Sequence, residues 1–128
     1  MKKINLLFLV LLLSSSCFVF INNNVAKADP NTIVVPDDYA TIQEAVDFAS
    51  EGDTVFVKNG TYHENLGIRK SIFLIGEDVE STIIDGNSSQ SYRVPINIFC
   101  SDVTVSGFTL KEGYSGIQFQ GGENCTIT

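Results

Sequence analysis

His63, in the run Tyr62-His63-Glu64-Asn65, is the single histidine of this 128-residue sequence. Transition metals are held by several imidazole or sulfur ligands acting together. Beyond residue 28 the chain adds only Cys100 and Cys125 to His63, and no Met, so no metal site is expected. Glu77, Asp78 and Glu80 offer oxygen ligands but lack the spacing of a calcium loop, and read as a solvated acidic turn. Breaking a glycosidic or acyl bond asks for two carboxylates across the scissile bond, with a neighbour that sets their pKa values apart. Asp85, Asp102 and Arg93 are of the right types, but aspartates at turns more simply accept nearby backbone N–H groups. No catalytic residue and no cofactor is therefore expected within residues 29–128.

Binding chemistry has more to stand on. Alternation sends Ile117 and Phe119 inward and Gln118 and Gln120 outward, with Tyr114 just before them. Two amides and an aromatic ring on one flat face suit a sugar chain, so Tyr114, Gln118 and Gln120 are the candidate carbohydrate-binding residues. Asn59-Gly60-Thr61, Asn87-Ser88-Ser89 and Asn124-Cys125-Thr126 fit the N-x-S/T pattern at turns or loops, which makes Asn59, Asn87 and Asn124 candidate glycan acceptors. The two remaining cysteines are expected to stay free. Cys100 precedes Val103 by three residues, about 10 Å along a strand, whereas a disulfide needs Cα atoms within about 7 Å. Only a turn at Ser101-Asp102 that folds Cys100 back beneath Cys125 would change this.

Positioning these residues falls to an exported chain. Lys2 and Lys3, an apolar stretch from Ile4 to Ile21 and the Ala26-Lys27-Ala28 triplet have the order of a secretory signal. Residues 1–28 are thus expected to be removed, with no membrane span left after cleavage. Removal leaves Lys58, Arg69, Lys70, Arg93 and Lys111 against all fifteen acids, moving the formal charge from −7 to −10. A domain this acidic has no electrostatic footprint for nucleic acid. Its expected location is secreted or at the cell surface.

Residues 29–52 hold a lead-in strand stopped by Pro36 and one short helix. Thr41-Ile42-Gln43-Glu44 has the form of a capping box, with Glu44 placed to reach back to the N-cap. Ile42, Ala45, Val46 and Ala49 make one apolar stripe, and Gly52 is placed to end the helix. From Asp53 to Thr128 the period becomes two. The predicted strands are too short to stand alone, and Gly, Asn and Asp separate them. Asp102–Gly107 matches Ser71–Gly76 at an offset of 31, and Asn124–Thr128 matches Asp102–Ser106 at an offset of 22. Repeats of this length with several short strands inside them predict a solenoid of stacked coils, with 87–95 thrown out as a loop.

Tyr39–Val46, Gly52–Val57, Asn59–Asn65 and Lys70–Gly76 together resemble the start of the right-handed parallel β-helix superfamily. That group includes pectin methylesterases, carbohydrate-binding and sugar-hydrolase domains, and β-helix accessory proteins of NosD type. The resemblance implies an all-β right-handed solenoid of about three coils, capped by the helix at its front end. Its coils are expected to continue in a longer protein. It further implies three functions to weigh: a non-catalytic module binding a polysaccharide, cell-surface glycan or protein, the front of a pectinesterase- or pectate lyase-like enzyme, or the front of a copper-delivery accessory protein. The processing expectation has a direct check, because the intact mass of the exported form should correspond to a chain beginning at Asp29. A dominant species that keeps residues 1–28 would make the segment an anchor.

Overall fold

The structure, a computed structural model, describes residues 29–86, 94–111 and 115–128. Residues 1–28, expected to be a signal segment, and Asn87, Arg93 and Tyr114 lie outside the described residues. Among the described residues, eleven short strands and one helix follow in the order β1 (Thr32–Val35), α1 (Ile42–Phe48), β2 (Thr54–Val57), β3 (Gly60–Tyr62), β4 (Leu66–Ile68), β5 (Phe73–Gly76), β6 (Thr82–Asp85), β7 (Ile96–Ile98), β8 (Thr104–Ser106), β9 (Thr109–Lys111), β10 (Ile117–Phe119) and β11 (Thr126–Ile127). Every pairing is parallel, in three sheets ordered β1-β2-β5-β8-β11, β3-β6-β9 and β4-β7-β10. This is a right-handed parallel β-helix. Three coils, each of three strands, follow β1 and α1, and β11 opens a further turn.

The register is the one the repeats predict. Leu74 pairs with Val105 and Thr104 with Thr126. The longer repeat arises between β6 and β7, the stretch expected to leave the coil. Inward columns are aliphatic: Ile33, Val55, Leu74 and Val105 stack in one sheet, and Leu66 on Ile96 and Ile68 on Ile98 in another, all buried. Each such side chain contributes about 1.5–3 kcal/mol by leaving water. The expectation for Phe119 needs correction. It is in register with buried Ile98, yet it is 51% exposed, because no described strand stacks on β10.

Helix α1 closes the front. Its stripe of Ile42, Ala45, Val46 and Ala49 is buried, and the helix lies against β1, β2 and β4. Thr41 Oγ1 accepts the Glu44 N–H at 3.2 Å, as an N-cap should. The capping carboxylate, however, comes from Glu64 rather than Glu44: its two oxygens accept the N–H groups of Ile42 and Gln43 at 3.0 Å each. At the other end Lys70 Nζ donates to the carbonyls of Asp47 and Ala49 at 2.5 and 2.7 Å. Both charges have the sign that the helix dipole favours. Ala49 caps the helix. Gly52, expected to end it, lies in the following turn at φ 90° and donates its N–H to Ser71 O.

Buried Asp53 ties the front together, its oxygens accepting the N–H groups of Asn31 and Ser50 at 2.8 Å each. Those bonds, Asn31 first, hold its carboxyl below the ordinary carboxylate range. A depressed folded pKa adds stability that is present above the unfolded value and lost as pH falls through the folded one. Asp53→Asn should therefore cost about 1–3 kcal/mol at neutral pH, since one buried N–H loses its acceptor. Denaturant titrations should show that gap narrowing below about pH 4. A gap unchanged down to pH 2 would remove Asp53 from the acid response. A second substitution tests the stacking itself. A Cβ on Gly76 would overlap the Gly107 carbonyl in the next coil and crowd the Phe108 ring at 3.2 Å. Gly76→Ala should thus destabilise the chain by roughly 2–4 kcal/mol in the same titration.

Candidate functional site

On the β4-β7-β10 sheet the alternation that buries Leu66, Ile68, Ile96 and Ile98 turns the residues between and after them outward. Gly67, Asn97 and Gln118 share one register column across three coils. The hydrogen bonds from Phe99 N to Ile68 O and from Gln120 N to Ile98 O, both 2.9 Å, carry the register on. A second column, Arg69, Phe99 and Gln120, therefore lies beside the first. The guanidinium carbon of Arg69 stands 4.4 Å from the centroid of the half-buried Phe99 ring, a cation–π contact. A Cβ at Gly67 would come within 3.2 Å of an Arg69 nitrogen, so the missing side chain leaves the guanidinium room to lie flat.

The sheet's front edge is closed by Gln43 of α1. Its amide accepts from Gly67 N at 2.8 Å and donates to Gly67 O at 3.3 Å, occupying the place of a neighbouring strand. The outward strip thus runs from the Gln43 amide through Asn97 to Gln118, flanked by Arg69, Phe99 and Gln120. Of the candidate binding residues, Gln118 and Gln120 are both exposed on it, and Tyr114 lies outside the described residues. Sequence reasoning missed Asn97, Phe99 and Arg69. The Ile96-Asn97-Ile98-Phe99 alternation held the signal for the first two, but placing Arg69 over the ring required the coil register.

The remaining candidates are dispersed. His63 Nδ1 sits 3.2 Å from Asp85 Oδ2 at the edge of the β3-β6-β9 sheet, where Asp85 is in register with Lys111. Asp102 lies on another corner, at the turn into β8, with φ 57°. The carboxylates do not face each other. Glu77 accepts the Asn59 N–H, and Asp78 accepts that of Glu80. Asn59 and Asn124 are exposed at turns, Asn124 with φ 58°. A cavity of about 540 Å³ on the outer side of α1 is lined by Asp38, Tyr39, Glu44, Asp47 and an exposed Phe48. Two of its acids are already engaged, Asp38 by the Val34 N–H and Asp47 by the Gln43 amide.

No family model and no solved structure matches the chain. Curated proteins do. A cell surface glycoprotein of Methanothermus fervidus is 31% identical over 130 residues, covering all of this chain and 20% of its own length. Probable pectinesterase/pectinesterase inhibitor 17 of Arabidopsis thaliana is 42% identical over 65 residues, 46% of this chain and 13% of that protein. Pectinesterase 2 of Citrus sinensis is 27% identical over 116 residues, 76% of this chain and 23% of its own. The chain spans 13–23% of the length of these relatives. It is a β-solenoid distantly related to pectinesterase-like proteins.

Proposed function

We propose that this chain is an exported or cell-surface β-helix module that binds a polysaccharide along its β4-β7-β10 face without transforming it. The observation that carries this reading is the double outward column, in which Asn97 and Gln118 repeat an amide at coil spacing beside Phe99 and Arg69. Amides stacked at roughly 4.8 Å present donors and acceptors in a line to successive hydroxyls. An aromatic ring beside them offers an apolar surface to a sugar ring. The carboxylates weighed in the sequence, Asp85 and Asp102, lie on different corners of the coils, away from this face. The signal-like first residues and the similarity over the whole chain to a cell surface glycoprotein agree with an extracytoplasmic place.

A second reading, the front coils of a carbohydrate-active esterase, draws on the similarity to pectinesterases. Affinity electrophoresis of the whole chain through gels containing neutral or acidic polysaccharides separates the two, combined with an assay of methanol release from esterified pectin. Retardation without turnover is expected. Asn97→Ala and Phe99→Ala should each weaken it by about tenfold or more, the worth of one well-made contact. Phe48→Ala, on the far side of α1, should leave it unchanged. Equal retardation of all three variants would sink the binding face, and methanol release would favour the enzyme.

A further inference from the structure

Cys100 and Cys125 occupy the same corner of the solenoid, just before β8 and β11. Through the pairing of Thr126 with Thr104, Cys125 stands in register with Val103, three residues beyond Cys100. Along a straight strand that separation would keep the two apart. The corner is not straight. Asp102 at φ 57° and Asn124 at φ 58° reverse the chain in both coils, and the two turns are bonded together. Asp102 N donates to Glu123 O and Glu123 N to Ser101 Oγ, each at 3.0 Å. Gly122, at φ 100°, lets the coils close further, since a Cβ there would overlap the Cys100 carbonyl. As a result Cys125 Sγ lies 3.6 Å from Cys100 O, and both half-buried thiols pack on the same core cluster. The sequence allowed for a turn at Ser101-Asp102, and the turn the structure holds there brings the Cys125 sulfur to the Cys100 carbonyl.

We propose that Cys100 and Cys125 form a disulfide that bolts the corner before β11 to the coil beneath it. In the reduced chain Cys100 Sγ lies 3.8 Å from Ile68 O, toward the preceding coil. Forming the bond requires Cys100 to leave this position for another staggered rotamer. The oxidant is a disulfide of low molecular weight, such as oxidised glutathione. The Cys125 thiolate attacks one sulfur and releases one glutathione thiolate. The Cys100 thiolate then displaces the second, so two protein thiols become one disulfide and two glutathione thiols form. Burial, with smaller contributions from Cys125, Glu51 and Asp102, pushes the Cys100 thiol up, so its displacement quickens as pH rises.

The bond would matter most at the last strand. Strand β11 is two residues long and exposed, held by Thr126 N to Val103 O at 2.9 Å and Thr128 N to Val105 O at 3.1 Å. The inference does not depend on what the outer face binds. To test it, the purified full chain is reduced, then incubated with oxidised glutathione at pH 8, alkylated and digested with trypsin. Trypsin cuts after Lys111, between the two cysteines, so an internal bond joins two peptides. The expected result is the Cys100 peptide linked to the Cys125 peptide in the monomer, with the intact mass lower by two hydrogens. Cys125→Ser should instead leave glutathione or the alkylating label on Cys100, and Cys100→Ser supplies the same control from the other side. Separate glutathione adducts on both cysteines, a link to Cys17, or two alkylated thiols would each overturn the proposal.

Discussion

A strand of three residues cannot hold its own shape, so every strand in this chain depends on the one a coil away. Backbone hydrogen bonds fix the spacing between coils, and the inward side chain must then meet another of like size at the same height. Val55 on Leu74 and Leu74 on Val105 satisfy both demands at once, as do Leu66 on Ile96 and Ile68 on Ile98. Slipping the register by one residue would turn these columns outward and put Thr54, Phe73 and Thr104 in the core. The outward residues carry no such burden. Function can therefore be written on the outside of the coils while the inside stays aliphatic.

The same dependence makes the ends the difficult places, because a terminal coil has unpaired N–H and C=O groups on one side. The front end is solved with side chains. Glu64 and Lys70 flank β4, and they grip the N- and C-terminal ends of α1 with charges of the sign each end favours. Gln43 reaches down from the helix to pair with Gly67 as a strand would. Asp53 binds the segments before β1 and after α1. A seven-residue helix would not form alone. It is held in place by the coil it covers.

What could be read from the sequence follows from what is local or repeated. The Ile42, Ala45, Val46, Ala49 stripe needs only helical geometry, and the offsets of 31 and 22 appear as repeated strings; both proved right. The Glu64 cap was not legible, because Glu64 is some twenty positions from Ile42 in sequence, and only stacking brings it to the helix. Glu44 was the nearer and locally correct choice. Alternation placed Phe119 inside, and the backbone agrees, but burial also requires a next coil, which pattern alone cannot supply. Both cysteines are free in the structure, as the sequence reading had them, but the straight-strand distance behind that reading does not describe the corner at Ser101-Asp102. Strand distances do not hold across a residue in the left-handed region, and only close approach of Gly122 shows how far the chain folds back. Of the candidate face, Gln118 and Gln120 were legible from alternation, while Arg69 over Phe99 was not.

The chain's few cations sharpen the reading of that face. Lys58 pairs with Asp37, Lys70 is committed to the helix carbonyls, and Lys111 lies in register with Asp85. Arg69 differs from these, because the partner its guanidinium faces is an aromatic ring. A ring face offsets its charge less than a carboxylate would, on the surface of a chain whose formal charge is −7. An anionic ligand approaching so acidic a chain meets net repulsion, which the Arg69 guanidinium locally weakens. The amide columns beside it are neutral and indifferent to salt. Recognition through them should rest on hydrogen bonding and ring contact, which suits a polymer of hydroxyls better than a polyanion.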